Sequence, residues 1–509
     1  MRLDLAENRF VETGVAADAW AVIGADRALR WSELAAEASA WCETARTHGF
    51  AADVPVILRG HKEASFFVAM AGALLLGAPF VPLDTIYPDE RMWRIADELG
   101  ATAYYDASTR RFAALQTSPE KAANVASAAA SGAVRAGTSS VTAPATAASP
   151  LRETGLAYVL FTSGTTGTPK GVQIGRESVQ ALVDWMSADF ALGSAPVFLN
   201  QAPFSFDLSM YEVFGTLALG GTIVLASRTL CTQGVALLAT LATHQVTTWV
   251  STPSFAQQQL LNPQFSGQRL KTLRTFLFCG EVLPVALSKQ LRQRFPAARI
   301  INTYGPTEAT VATTWIVVDD AVLAEHPRLP IGRAKRDSQV FVDDGELCIA
   351  GPHVMRGYLN RNDLNATRMF THRGQRAFRT GDLGAVDAQG LLFCQGRIDD
   401  QVKVGGYRIE LLEIDAALRA LPGVPGAAAV PLRRPDGSVA RIVAFVETGN
   451  DARRVPAHLH DWKALLAARL PSYMIPSELL GCRALPVSVN CKIDRTQLAQ
   501  DYRDAHLKS

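Results

Sequence analysis

Between about residues 30 and 110, apolar and polar positions alternate in the manner of repeated βα units. An amphipathic run after Ser32, with Leu34, Trp41 and Cys42, is followed by the apolar string VPVIL, a longer apolar run, and a second amphipathic run from Met92 to Leu99. Phe66 to Leu83 carries no charge over 18 residues, long enough to raise the question of a membrane span. Gly72, Gly77, Pro79 and Pro82 punctuate it. That punctuation predicts a buried helix stopping at Gly77 and a short buried strand before Pro82. From residue 117 to 150 large apolar residues almost vanish in favour of Ala, Ser and Thr, which predicts a low-complexity surface insertion with no packed core of its own.

The alternation resumes in GLAYVLF, VFLNQ, TIVLA, TTWVS, LRTFLF and ARIIN, separated by helical runs such as ESVQALVDWM and PVALSKQLRQRF. Apolar strands alternating with helices predict a mostly parallel sheet covered on both faces. From about Arg333 to Arg397 the short strings VDDGELCIA and AVDAQGLLFCQG predict hairpins in a β-rich subdomain. Beyond Asp399 a strand, the helix LLEIDAALRAL and further strands make a compact α+β unit. The expected fold class is therefore α/β. A large N-terminal domain (1–398) of βα-alternating sheets with a β-rich subdomain, interrupted by the 117–150 insertion, precedes a smaller, mobile α+β C-terminal domain (399–509).

Composition narrows the function classes. Fifty Lys and Arg stand against 48 Asp and Glu, so a net charge of +2 over 509 residues offers no electrostatic case for nucleic acid or an anionic membrane. With 48% hydrophobic and 19% charged residues the chain buries large cores, which excludes wholesale disorder. Seven cysteines with no CxxC pair make neither a disulfide framework nor a zinc ribbon. The opening MRLDLAENRF has no apolar signal core. A reducing, cytoplasmic setting is expected.

The chemistry concentrates first in YVLFTSGTTGTPKGV, Tyr158 to Val172, where a strand runs into a loop rich in glycine. Glycine permits close backbone approach, while exposed N–H groups, the hydroxyls of Thr162, Ser163, Thr165 and Thr166, and the Lys170 ammonium offer donors to polyphosphate oxygens. It reads as a nucleotide-phosphate loop. It is not a Walker A motif, because two residues separate Gly167–Thr168–Pro169–Lys170 into a spacing that motif lacks.

TSGTTGTPKG resembles the phosphate loop of the acyl-adenylate-forming superfamily. NTYGPTEATV (Asn302 to Val311), FRTGDLG (Phe378 to Gly384), GRIDDQVKVGGYRIEL (Gly396 to Leu411) and NCKIDR (Asn490 to Arg495) resemble its other core motifs, in the right order and over most of the chain. Within it, LNQAPFSFDLSMYEVFG, WVSTPSFAQ, FLFCGEVLPV and PSYMIP are most similar to the subfamily of D-alanine:D-alanyl carrier protein ligases, which charge the carrier for teichoic acid alanylation.

The resemblance implies a ligase that uses ATP and Mg²⁺ to form an aminoacyl adenylate and then a thioester. Two anions meet in the first step, so cations and preorganised donors must offset their repulsion. Lys492 is implied as the catalytic lysine bridging the substrate carboxylate and the adenylate, and Glu308 as the Mg²⁺ ligand. Tyr304 is implied to pack on adenine, with Asn302, Thr303, Gly305, Pro306 and Thr307 around the adenine and α-phosphate. Asp382 is implied to accept the ribose hydroxyls, with Arg397 near the ribose and phosphate and Cys394, Gln395 and Gly396 beside them.

Asp207, in FSFDLS, falls where amino-acid-activating members keep a carboxylate for the substrate ammonium; by local sequence it is equally a helix N-cap before LSMYEVF. Cys279 and Val311 match the lining of a small alanine pocket, with Leu208, Thr303 and Ala312 nearby. Tyr211 is bulkier than that pocket leads one to expect. Asp399 aligns with the hinge of the small domain, and Gly405, Gly406 and Tyr407 with the stretch that faces a pantetheine arm. NCKIDR departs from the pattern with Cys491 where glycine is usual.

The expected function is activation of D-alanine, or another small amino acid, and its transfer to a phosphopantetheinylated carrier protein supplied in trans. No nucleic-acid or membrane partner is expected. A stand-alone nonribosomal-peptide-type adenylation enzyme for another amino acid, and an acyl-CoA synthetase, remain open alternatives. Both enantiomers of the substrate present the same carboxylate and ammonium, so the sequence leaves stereochemistry open.

Overall fold

The computed structural model describes residues 1–12, 14–115, 151, 153–164, 169–399, 401–434, 437–448, 460–487 and 493–506. The expected 117–150 insertion, Thr165, Thr166, Cys491 and Lys492 lie outside the described residues.

Two large mixed sheets dominate. In the nine-stranded sheet six parallel strands run in the order Arg299–Tyr304, Thr275–Phe278, Thr248–Ser251, Val197–Asn200, Thr222–Leu225 and Trp20–Ile23. Antiparallel strands flank them, Thr314–Val317 and Arg333–Ala334 on one margin and Ala28–Arg30 on the other. The seven-stranded sheet has the same plan, with Leu156–Thr162, Phe80–Asp84, Val56–Gly60 and Ala103–Asp106 parallel at its centre. Lys170–Gly175, Gly357–Tyr358 and Arg111–Ala114 are antiparallel additions.

The uncharged stretch resolves into a helix, Ala64–Leu76, and the strand Phe80–Asp84. The helix is apolar all round because it packs into the main core together with residues of both sheets. Gly77 ends it in a left-handed conformation. The strand runs through Pro82 to Asp84, three residues beyond the expected stop at Val81. Its ladder to Leu156–Thr162 ends at the Phe80–Tyr158 pair, so the missing proline N–H breaks no bond on that side. Among the described residues no helix is long and apolar enough to cross a membrane.

The Asp-Gly signal produced its hairpin: Gln339–Asp343 pairs with Glu346–Ala350 around Asp344 and Gly345, both at positive φ as a type I′ turn requires. These strands join Gln375–Val386, Met369–His372 and Leu392–Arg397 in a five-stranded antiparallel sheet. After Asp399 come the two-stranded ribbon Gln401–Val404/Tyr407–Glu410, the helix Leu411–Arg419, and a three-stranded sheet of Ala427–Arg433, Val439–Glu447 and Leu479–Cys482. Val402, Ile409, Ile414, Leu418, Val446, Leu466 and Met474 build a core of their own. Among the described residues no sheet crosses residue 399.

Candidate functional site

A cavity of about 330 Å³ opens beyond the C-terminal ends of the central parallel strands of the larger sheet, where the C-terminal residues meet them. That size falls at the lower end of the range for small-molecule sites. Its lining brings together residues far apart in sequence: Asp207 and Leu208, Cys279, Gly305 to Thr307, Val311, Asp382, Arg397, and Lys403 with Gly405 to Arg408.

Asp207 begins the 3₁₀ turn Asp207–Ser209, which leads into the helix Met210–Leu217, and neither takes a side-chain cap. The N-cap alternative therefore fails. The carboxylate instead accepts a hydrogen bond from Thr307 Oγ1 at 2.7 Å. Burial raises its pKa, while Thr307 and Lys403 pull in the opposite direction. Leu208, Cys279 and Val311 give the wall beside it a small apolar character. Tyr211 is fully buried outside that wall, its hydroxyl directed to Thr303 Oγ1 at 3.3 Å, so its bulk does not fill the cavity.

Gly305 is demanded by packing, since a Cβ there would lie 2.4 Å from the Ala312 Cα. Tyr304 donates its hydroxyl to Asp382, and Arg397 Nη1 reaches the other Asp382 oxygen at 3.0 Å. Arg397 also forks onto Asp399 at 2.7 and 2.6 Å, which ties the expected hinge residue to the expected ribose site. Asn302 and Thr303 spend their donors on backbone carbonyls, of Pro330 at 2.9 Å and Phe278 at 2.8 Å. Cys394, Gln395 and Gly396 are not in the lining, and Gln395 is exposed.

The donors of the expected phosphate loop are engaged by the C-terminal ribbon and helix. Lys170 Nζ meets Glu410 Oε1 at 2.8 Å with both side chains buried. Ser163 Oγ donates to the Arg408 carbonyl at 2.9 Å and accepts from the Glu410 N–H at 3.2 Å. Gly164 N–H points to Glu413 Oε2 at 3.3 Å, and the other Glu413 oxygen pairs with buried Arg91 at 2.6 Å. Thr162 Oγ1 is buried with no partner among the described residues.

Glu308 is fully buried beneath the same ribbon. Tyr358 donates to one oxygen and Arg408 to the other, each at 2.6 Å. Burial alone would raise its pKa; the Arg408 guanidinium and the Tyr358 hydroxyl hold it at about 2 instead, so it is a carboxylate at neutral pH.

Sequence reasoning missed the residues that seat this ribbon. Arg408, Glu410 and Glu413 lie in or beside the GGYRIEL string, but only its glycines carried an interpretation. Glu281 accepts from the Gly406 N–H at 2.9 Å and from the Ser254 N–H at 3.1 Å. Tyr407 stands edge-on to Phe206, with centroids 4.4 Å apart, and stacks on Tyr473 at 3.9 Å. The one available signal was the density of charge in KVGGYRIELLEID, which does not name its partners.

Comparison with known proteins shows the family. The AMP-binding enzyme family matches residues 12–359. The D-alanine–D-alanyl carrier protein ligase of Lactiplantibacillus plantarum is 38% identical over 480 residues, covering 91% of this chain and 92% of that protein. The protein of the same name from Bacillus velezensis is 37% identical over 464 residues, covering 88% and 89%. Among solved structures, a Vibrio cholerae adenylation domain in complex with glycyl-adenosine-5′-phosphate superposes with a TM-score of 0.77 at 21% identity, covering 96% of this chain and 95% of that one. An NRPS protein containing adenylation and PCP domains, bound to a vinylsulfonamide inhibitor, superposes at 0.73 with 26% identity, covering 95% and 81%.

Proposed function

Because this chain belongs to the AMP-binding enzyme family and is a ligase, we propose that it activates D-alanine, or another small amino acid, with ATP and loads it onto the phosphopantetheine thiol of a separate carrier protein. The observation that carries this reading is the Asp207 carboxylate, uncapped and facing the cavity beside the short apolar wall of Leu208, Cys279 and Val311. Lys403 lines the same cavity and pulls the Asp207 pKa down against burial, but among the described residues no ion pair joins the two. A carboxylate in an enclosed site is stabilised by a direct cationic partner. A substrate ammonium supplies one, and a plain fatty or aryl acid does not.

In the first half-reaction the amino-acid carboxylate attacks the α-phosphate of ATP, forming the acyl–phosphate bond as the bond to pyrophosphate breaks. Asp207 holds the ammonium. Lys170, with Ser163, Thr165 and Thr166, serves the phosphates, and the orphaned Thr162 hydroxyl is a buried donor with such a ligand to bond. Asp382 accepts the ribose hydroxyls, Tyr304 packs near the base, and Lys492 offsets the charge of the meeting anions. Glu308 fits Mg²⁺: it is a hard, ionised oxygen donor, and this metal is commonly held by one or two carboxylates together with substrate phosphates. Bound there, the ion would neutralise developing charge on the phosphates.

In the second half-reaction the carrier thiol displaces AMP from the acyl carbon. The domain starting near Asp399 moves as a unit between the two steps, and the arrangement described above, with Gly405, Gly406 and Tyr407 at the cavity rim, suits the second.

ATP–pyrophosphate exchange over a panel of amino acids and simple carboxylic acids, followed by acyl transfer to holo carrier protein or to free coenzyme A, tests the reading. Exchange is expected with D-alanine or a residue of similar size, and transfer to the carrier. Exchange confined to acids without an ammonium, with transfer to free coenzyme A, overturns it.

The two half-reactions are separable at Gly406. A Cβ there would meet Thr252 Cγ2 at 2.3 Å, and its φ of +83° disfavours any side chain. Gly406→Val is expected to leave exchange within threefold of the parent and to slow carrier loading at least tenfold, read as transfer of radiolabelled amino acid. Equal loss in both assays would refute the role of the ribbon.

A further inference from the structure

Behind the cavity wall lies a buried lysine that the mechanism does not use. Lys335 is 2% exposed, and its ammonium donates to the Ala312 carbonyl at 3.0 Å and sits 4.8 Å from the centroid of the Trp185 ring. Among the described residues no acidic partner balances it. Burial lowers its pKa to about 7, and in either protonation state it has an N–H for that carbonyl. Burial without a carboxylate penalises the charged form, and among the described residues the fixed acceptor of this amine is the Ala312 carbonyl.

The carbonyl it holds closes an unusual turn. Thr310 and Val311 both have left-handed backbones, with φ of +51° and +71°. Two successive β-branched residues in that region are strained and persist only where their surroundings over-determine them. Thr310 Oγ1 donates to the His353 carbonyl at 2.7 Å, Thr313 Oγ1 lies 3.0 Å from His353 Nε2, and Lys335 bonds the next carbonyl in line. Val311 faces the cavity as part of its lining.

We infer that Lys335 is a positioning residue that sets side-chain selectivity, by bonding Ala312 from behind and keeping the Thr310–Val311 turn in the conformation that places Val311 in the substrate wall. The inference rests on the proposed reading of the cavity as an amino-acid site. It assigns to a residue outside the cavity the control of how large a side chain the cavity admits.

The test is exchange kinetics of full-length Lys335→Met, which keeps the volume and removes the donor, with glycine, D-alanine and D-2-aminobutyrate at saturating ATP. The KM for D-alanine is expected to rise about tenfold with kcat changed less than threefold. The preference for D-alanine over D-2-aminobutyrate is expected to fall at least tenfold, while the KM for ATP moves less than twofold. Adding Thr310→Gly should restore the preference, because glycine holds a positive φ without help.

A merely structural lysine would lower kcat for all substrates in proportion and leave their ratio alone. A ratio unchanged within twofold, in Lys335→Met or, if that variant does not fold, in Lys335→Leu, overturns the inference. Should the parent enzyme prove active only on acids without an ammonium, the amino-acid reading falls separately. The same ratio, measured over acetate, propionate and butyrate, then decides Lys335.

Discussion

Asp207→Asn is expected to cut amino-acid-dependent ATP–pyrophosphate exchange by a factor of about a hundred to a thousand. Asparagine keeps the shape and can still accept from Thr307, which bonds Asp207 at 2.7 Å, but it presents no charge to the ammonium. Removing one member of an enclosed ion pair typically costs about 3 to 5 kcal/mol, because the partner is left uncompensated away from water. The loss should appear as a higher amino-acid KM with the ATP KM unchanged. Since burial raises the Asp207 pKa, the parent should show the same KM increase as pH falls and the carboxyl takes up its proton, and the variant should lack that dependence. Exchange within threefold of the parent would remove Asp207 from the substrate site.

The second large effect is at Lys492. Lys492→Ala should lower exchange by about a hundredfold to a thousandfold, the scale on which deleting one preorganised transition-state donor acts. Transfer from a supplied aminoacyl adenylate to holo carrier should remain within a few-fold, since the thiol attack calls on the Gly405–Gly406–Tyr407 rim instead. This profile is the inverse of that expected for Gly406→Val. The pair of variants therefore separates the half-reactions without depending on either one alone. Parallel loss of exchange and of transfer from preformed adenylate in Lys492→Ala would contradict a role confined to the first step.

The ribbon's contacts explain why one chain can serve both steps. Glu410 and Glu413 occupy the donors of the phosphate loop, and Arg408 occupies the Glu308 carboxylate. In the proposed reading a triphosphate would need the former and a metal ion the latter, so the docked ribbon would compete with Mg·ATP for the same groups. Such buried pairs contribute little net stability, because desolvation offsets attraction. They bear on register instead: Lys170 with Glu410 and Arg408 with Glu308 join the ribbon to the large domain, and a ribbon shifted by one residue would leave both buried pairs broken.

Much of the fold was legible from periodicity. The helix Ala64–Leu76, the hairpin at Asp344–Gly345 and the parallel strands follow from patterns with a local physical cause: apolar burial, positive φ at a tight turn, and strands covered on both faces. The run through Pro82 was not legible, because whether a missing N–H matters depends on where the neighbouring ladder ends. For the site, the motif strings located Asp207, Cys279, Val311, Asp382 and Arg397, which do line one cavity. They also drew in Asn302, Thr303, Tyr304, Cys394, Gln395 and Gly396, which do not. Side-chain direction at a strand's end is set by bulges and neighbouring strands, and a bulge between Leu383 and Gly384 shifts the pairing just past Asp382–Arg397, leaving Gln395 without a register partner.

By itself, the amino-acid order determined what depends on near neighbours along the chain: which segments are helix or strand, where glycine lets backbone approach a ligand, and which residue types are available for phosphate and carboxylate chemistry. Only the tertiary structure decided who answers whom. Arg408 meets Glu308 across 100 positions, Lys170 meets Glu410 across 240, and Lys335 reaches the carbonyl of Ala312 across 23. Coulomb attraction and hydrogen bonding act over a few ångströms of space, whatever the separation along the backbone, so no local pattern announces them.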